Sequence, residues 1–428
     1  MELHFIAMRL TAKVFLSLWI SSTALFAQGG RVAAGAQAET HAPQVTGTLT
    51  RHQRFAYDAV RAAVALPQGS QQDRLRVLAA ASAVMAPIRP SLAKTYSREG
   101  LRLELELIQR GEQPSASMLA SGPVDCGAVQ ALVEGIPAGH VSAAEPTLVA
   151  AVGSCPAVRA ATRRLVAAAI AEQKLAPRAT LALMEHMGVN SAWSRNTFAR
   201  FFESLPSDPG AMAREAPNIA ALYAGAAASV DTAAASRAGV QLLQWLNRLP
   251  ESGDRVNAVN VSTGAMKQVL GEKAYEELLA ADVVARQVAQ SAGAEGEITQ
   301  PKEDQVSVLK AMQGATEDRV QQLQALPAVP RARQAAASGF ASGTAGDRQL
   351  SSRYFDLAFS ALNLAWRDRQ DARDPAGLVQ EVSEAAAQVD ASDALHRAQS
   401  LEDSAAQAIA MVAVARVVGG GENLQAQR

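Results

Sequence analysis

The chain has 428 residues with a formal net charge of −1, of which 49% are hydrophobic, 19% charged and only 4% aromatic. That length suffices for two or three domains or one elongated array, and the near-neutral balance leaves no global field to draw nucleic acid or anionic lipid. With aromatics scarce, the interior must be filled by alanine, leucine and valine; alanine has the best helix propensity and lets helices approach closely.

The chain opens with an address. From Met8 it reads "MRLTAKVFLSLWISSTALFAQ", in which Arg9 and Lys13 form a basic start and Val14 to Ala27 an apolar run of secretory-signal length. The run is shorter than the roughly 20 residues a membrane span needs. The expectation is a signal peptide over 1–27, with cleavage as late as Ala38, no stable membrane span afterwards, and export to a periplasmic or extracellular compartment. Residues 28–48 are small, polar and aperiodic, an unstructured leader.

From Thr50 onward nearly everything scans at helical spacing. "RHQRFAYDAVRAAVALP" sets Phe55, Ala59, Ala62 and Leu66 on one stripe and ends at Pro67; "QQDRLRVLAAASAVMAP" sets out Leu75, Leu78, Ser82 and Met85 and ends at Pro87. "GLRLELELIQR" alternates Leu101, Leu103, Leu105 and Leu107 with charges, a strand-like period of two. Its leucines also make helical pairs, its residue types favour helix, and no second alternating segment exists to pair with it, so the expectation is helix.

The two cysteines, Cys126 and Cys155, each stand at the start of a helical pattern, "DCGAVQALV" and "SCPAVRAATRRLVAAAIAEQ". In an oxidising compartment two such thiols pair, closing a loop worth about 3–4 kcal/mol in the chain-entropy view. Two thiolates without further ligands are too few for a metal site.

"LMEHMGVNSAW" follows. Met184, Glu185, His186 and Met187 are metal-ligand types, yet adjacent helical positions point about 100° apart, so the four do not converge, and no metal or cofactor is expected. Next, "NSAWSRNTFARFFESLP" holds Trp193, Phe198, Phe201 and Phe202, dense for this chain. Core packing is the default. The sharper expectation is an aromatic floor to a ligand groove, with Arg195 and Arg200 on its rim. Glu203 and Asp208 flank Pro206 and could only serve acid–base hydrolysis if that turn brought them together.

Punctuation recurs: "ALPQGSQQD", "SLPSDPG", "RLPESGD" and "ALPAVPR" each close a helical run with Leu-Pro, and the Ser and Asp that follow are natural caps. Leu205 and Leu249 lie 44 positions apart, the length of a helical-hairpin repeat. Gly- and charge-rich residues 291–304 are the expected linker between an N-terminal lobe, 49–290, and a C-terminal lobe, 305–418. In the latter, "RYFDLAFSALNLAW" puts Phe355, Phe359, Leu362 and Trp366 on one side with Leu357, Ala361 and Leu364 on another, so it belongs inside a layer. "SLEDSAAQAIAMVAVARVV" repeats the feature, with Ser400 and Asp403 as its capping pair. From Gly419 to the end, 419–428, a frayed tail is expected.

The fold class is therefore all-α: about 15 to 18 short helices in antiparallel hairpins, stacked as an α-solenoid or as two helical lobes. No H-E-x-x-H, P-loop, G-x-G-x-x-G or G-x-S-x-G occurs. S-x-x-K occurs at Ser91–Lys94 and Ser307–Lys310 without the motifs that accompany it in serine hydrolases. No catalytic residue is assigned. The expected function is that of an exported helical binding or scaffold module for a protein or peptide of the cell envelope or medium. The alternative is a helical-toroid lyase or glycosidase acting on polysaccharide.

Overall fold

A computed structural model describes residues 49–120, 125–172, 174–206, 210–250, 252–273, 275, 317–368 and 374–425. Its secondary structure among these residues is entirely helical. The leader, the expected linker 291–304, Ser307–Lys310 and Asp208 lie outside the described residues.

Helix α1 (Arg51–Ala65) begins at a capping box: the Thr50 hydroxyl accepts from the Gln53 N–H, and the Gln53 side chain accepts from the Thr50 N–H. It buries Ala56, Ala59, Val60 and Ala63. Of the expected stripe Ala59 is buried, while Phe55 and Leu66 are half-buried and Ala62 is exposed. The small residues are what let a neighbour come close on that side. Helix α2 (Gln71–Ile88) is capped by Ser70 and buries Leu75, Leu78, Ser82 and Met85 as their spacing predicts, stopping one residue beyond Pro87. Helix α3 (Pro90–Gln109) absorbs the alternating leucines as helix. It lies against α2, where the Ser82 hydroxyl donates to Ala93 O at 3.1 Å.

Then come α4 (Cys126–Glu134), α5 (Glu145–Ser154), α6 (Arg159–Ala171), α7 (Pro177–Met187), α8 (Ala192–Glu203), α9 (Ala216–Ala226), α10 (Thr232–Asn247) and α11 (Gly253–Leu270). Alternate helices touch. In one row α5 packs on α7, α7 on α9 and α9 on α11; in the other α6 packs on α8 and α8 on α10. Glycines sit in the first row's contacts: a Cβ at Gly153 would lie 3.1 Å from the His186 ring, and one at Gly225 3.1 Å from Leu181. Ser252 caps α11, as the Leu-Pro punctuation predicts.

The remaining helices are α12 (Glu317–Gln324), α13 (Ala328–Thr344), α14 (Arg348–Arg367), α15 (Pro375–Val389), α16 (Ala391–Gln399) and α17 (Ser404–Gln425). Here α13 packs on α14 and α15, and α15 on α17. Helix α14 buries Phe355, Phe359, Leu362 and Trp366; on its other apolar side Ala361 is buried and Leu357 half-buried, and Leu364 alone of the three is exposed. Helix α17 is buried all round from Ala408 to Ala415. Its cap is Asp403, whose Oδ1 accepts from the N–H groups of Ala405 and Ala406 at 2.8 and 3.1 Å. Ser400 instead closes α16 by donating to Arg397 O.

Helix α17 does not stop beside its sequence neighbours. It packs on α1 and α2, and the Ser404 hydroxyl donates to Pro67 O, 337 positions away. Gly419 is held against Ala56 and Ile88, at 3.6 and 3.7 Å from where a Cβ would stand. That packing holds the helix at Gly419.

Candidate functional site

Where the last helices dock on the first ones, α2, α15 and α17 leave a cleft of about 430 Å³. Its walls are small and apolar: Val77, Ala80 and Ala83 from α2, Ala376 from α15, Ile409 and Ala413 from α17. Such walls follow from the composition, since alanine faces that let helices approach leave a shallow trough where three of them diverge. Arg76 and Arg416 also line the cleft.

Both guanidiniums are paired. Arg76 Nη1 donates to Asp374 Oδ1 at 2.9 Å, tying α2 to α15. Arg416 donates to Glu384, tying α17 to α15 further along the helix. Asp374 precedes Pro375 and caps α15, accepting the Gly377 N–H. Partial burial pushes its carboxyl up, but the Gly377 N–H and Arg76 outweigh that and hold it below the usual range. Glu384 goes the other way: burial raises it against the pull of Arg416. A guanidinium has five N–H donors in a rigid fork. Each arginine engages the adjacent carboxylate through one nitrogen and lines an apolar trough, a combination suited to carbonyl or carboxylate oxygens.

A second polar cluster lies inside. Glu104 of α3 is wholly buried and its carboxylate accepts from the Thr147 hydroxyl at 2.5 Å and the Met118 N–H at 3.1 Å. Burial raises its pKa despite those bonds. Glu145 is raised likewise by burial, against the N–H of Ala176 and with Glu215 adding to the rise.

The expected groove residues are placed differently. Phe198, Phe201 and Phe202 are buried in the core. The Phe198 and Phe202 ring centroids are 4.8 Å apart, and Tyr223 of α9 meets Phe202 edge-on at 5.8 Å. Burial pushes the Tyr223 hydroxyl up to about 12, and it donates to Ala235 O at 3.2 Å. Trp193 is half-buried, while Arg195 and Arg200 are exposed, Arg195 donating to Asn190 O. The aromatic density thus builds interior rather than a groove floor, because α9 and α10 cover that face. Met184 and Met187 are buried, Glu185 is exposed, and His186 lies over Gly153. Among the described residues, no group of three or more His, Cys, Asp or Glu side chains is arranged to hold a metal ion, and no helix is long and apolar enough to cross a membrane. Ser91 and Lys94 are both exposed on α3.

Cys126 and Cys155 stand at disulfide distance, their Cα atoms 5.6 Å apart. Their bridge joins the start of α4 to the corner between α5 and α6.

No protein family, curated protein or solved structure matches the chain. The residues of the seam cleft carry no motif. Its ion pair joins Arg76 to Asp374, 298 positions apart in the chain.

Proposed function

We propose that this chain is an exported α-solenoid that binds an extended peptide segment of an envelope or secreted protein. Export is supported by the basic-then-apolar stretch from Arg9 to Ala27 and by the cysteine pair at bonding distance. The solenoid is supported by the alternate-helix contacts from α5 to α11, which repeat one packing step along the chain.

The seam cleft carries the binding proposal. It has the size of small-ligand and peptide-anchor sites, apolar walls for a side chain, and two arginine forks for backbone or terminal oxygens. The polysaccharide-enzyme alternative needs two carboxylates working across one opening. The carboxylate that lines this cleft, Asp374, is engaged by Arg76 and the end of α15.

Ala83 is half-exposed on the cleft wall, so Ala83→Trp fills the trough without disturbing the core. Peptides selected from a displayed random library on the native protein should bind this variant at least about tenfold more weakly. Equal binding to both proteins, with helical content unchanged, would remove the cleft from the proposal. Export is tested separately: fractionated cells should yield the bridged form outside the cytosol, and a cytosolic pool with both thiols free would overturn it.

A further inference from the structure

The two halves of the cystine are not equivalent. Cys126 is exposed and Cys155 is fully buried. Thiol–disulfide exchange requires a thiolate to reach one sulfur, and here only one is reachable.

The reachable sulfur opens on a second cleft, of about 380 Å³, between α3 and the start of α4. Lys94, Arg98 and Leu101 line it from α3, at the 4- and 3-residue spacing that shares one helix face. Asp125, Cys126 and Ala128 line it from the other side. The cations outnumber the carboxylate. Arg98 meets Asp125 only at 3.8 Å, with both side chains largely in solvent, so the pair neutralises little of the cleft's positive character.

We propose that the Cys126–Cys155 disulfide is a thiol–disulfide exchange site, opened at Cys126 by a small anionic thiol that enters between α3 and α4. The incoming thiolate bonds to Cys126 Sγ as the Sγ–Sγ bond breaks. The electron pair leaves on the Cys155 sulfur, which takes up a proton. A second molecule of the same thiol attacks the external sulfur of the mixed disulfide and releases Cys126. Two electrons pass from two thiols to the cystine, and the thiols leave as their own disulfide. Lys94 and Arg98 attract the anionic thiol and counter the charge released at Cys126. The opening unties the start of α4 from the α5–α6 corner. The proposal stands independently of peptide binding at the seam.

The oxidised full chain, under native conditions, would be treated with 3-mercaptopropionate or with 2-mercaptoethanol, rates being normalised to thiolate. Alkylation and peptide mapping then locate the adduct. The expected product is a mixed disulfide on Cys126, formed about tenfold faster with the anionic thiol at low ionic strength. That advantage should shrink in high salt and in the double variant Lys94→Gln/Arg98→Gln, whose positions are exposed. The proposal is overturned by an adduct on Cys155, by a bridge that resists both thiols until denaturant is added, or by rates indifferent to thiol charge. The salt dependence of the unaltered chain decides the matter should the double variant fold poorly.

Discussion

The α8–α9 region and the seam between α1, α2 and α17 fill their interiors by opposite means. At α8–α9 large rings meet: Phe198, Phe202 and Tyr223 lie within 6.0 Å of one another, centroid to centroid. At the seam Ala56, Ala59 and Ala63 of α1 lie beneath a helix whose buried run includes Ala408, Ala410 and Ala415, and Gly419 lies against Ala56. Rings fill space with side-chain volume; alanines remove space by bringing backbones together. The first kind of interior is therefore sensitive to what is taken away, the second to what is added.

The largest expected effect comes from taking volume away at the rings. Phe202→Ala should lower stability by about 3–5 kcal/mol, read as a shift in the urea midpoint at constant slope. A loss below 1 kcal/mol would mean that the rings are replaceable and the contrast with the seam is false.

Adding volume at the seam comes next. Ala56 is wholly buried, and Ala56→Leu should destabilise by about 1–3 kcal/mol, because the α1–α17 approach has no room for a longer side chain. Ala56→Gly at the same site should cost only about 1 kcal/mol, the helix-propensity difference. If leucine is tolerated better than glycine in thermal or urea denaturation, the seam is loosely packed and the close-approach account fails.

This contrast also explains what the sequence revealed. Helices were legible because propensity, Leu-Pro stops and Ser caps agree locally, as at Ser70 and Ser252. The cysteine pair was legible because each thiol marks a helix start. The face of α1 was misjudged because Phe55 outweighs Ala56 in any hydrophobic count, whereas in an alanine-filled interior the smallest residue marks the contact. Ser400 and Asp403 were read as one capping pair because the end of α16 and the cap of α17 are only three positions apart there. The aromatic segment 193–202 read by default as core, and Phe198, Phe201 and Phe202 are buried, but the partner that meets the rings, Tyr223 of α9, arrives from later in the chain. The seam cleft was hidden: its pairing of Arg76 with Asp374 and of α1 with α17 is set by tertiary packing, which leaves no periodicity to read. Glu104 was hidden differently. Among alternating leucines a glutamate reads as the solvated side, and nothing local says that α5 and the Met118 turn will close over it.

Glu104 also supplies the subtlest probe, at a junction built neither from rings nor from alanine. Its carboxyl is raised above the ordinary 4.5 by burial, against hydrogen bonds from Thr147, Met118 and Ser117. A carboxyl raised in the folded state binds its proton more tightly there than in the unfolded chain. Its contribution is thus fully present below about pH 4.5 and is lost as pH rises through the folded-state value. Glu104→Gln is always neutral and can still accept from the Met118 N–H and donate to Thr147, so the variant lacks that pH dependence. Urea midpoints measured from pH 4 upward should show the native protein losing stability relative to the variant as pH rises. Glu145 and Glu384, also raised by burial, titrate in both proteins and cancel from the difference. Parallel pH profiles would mean that Glu104 meets solvent or a cation on folding, and that the α3–α5 junction is more open than the ring cluster and the alanine seam on either side of it.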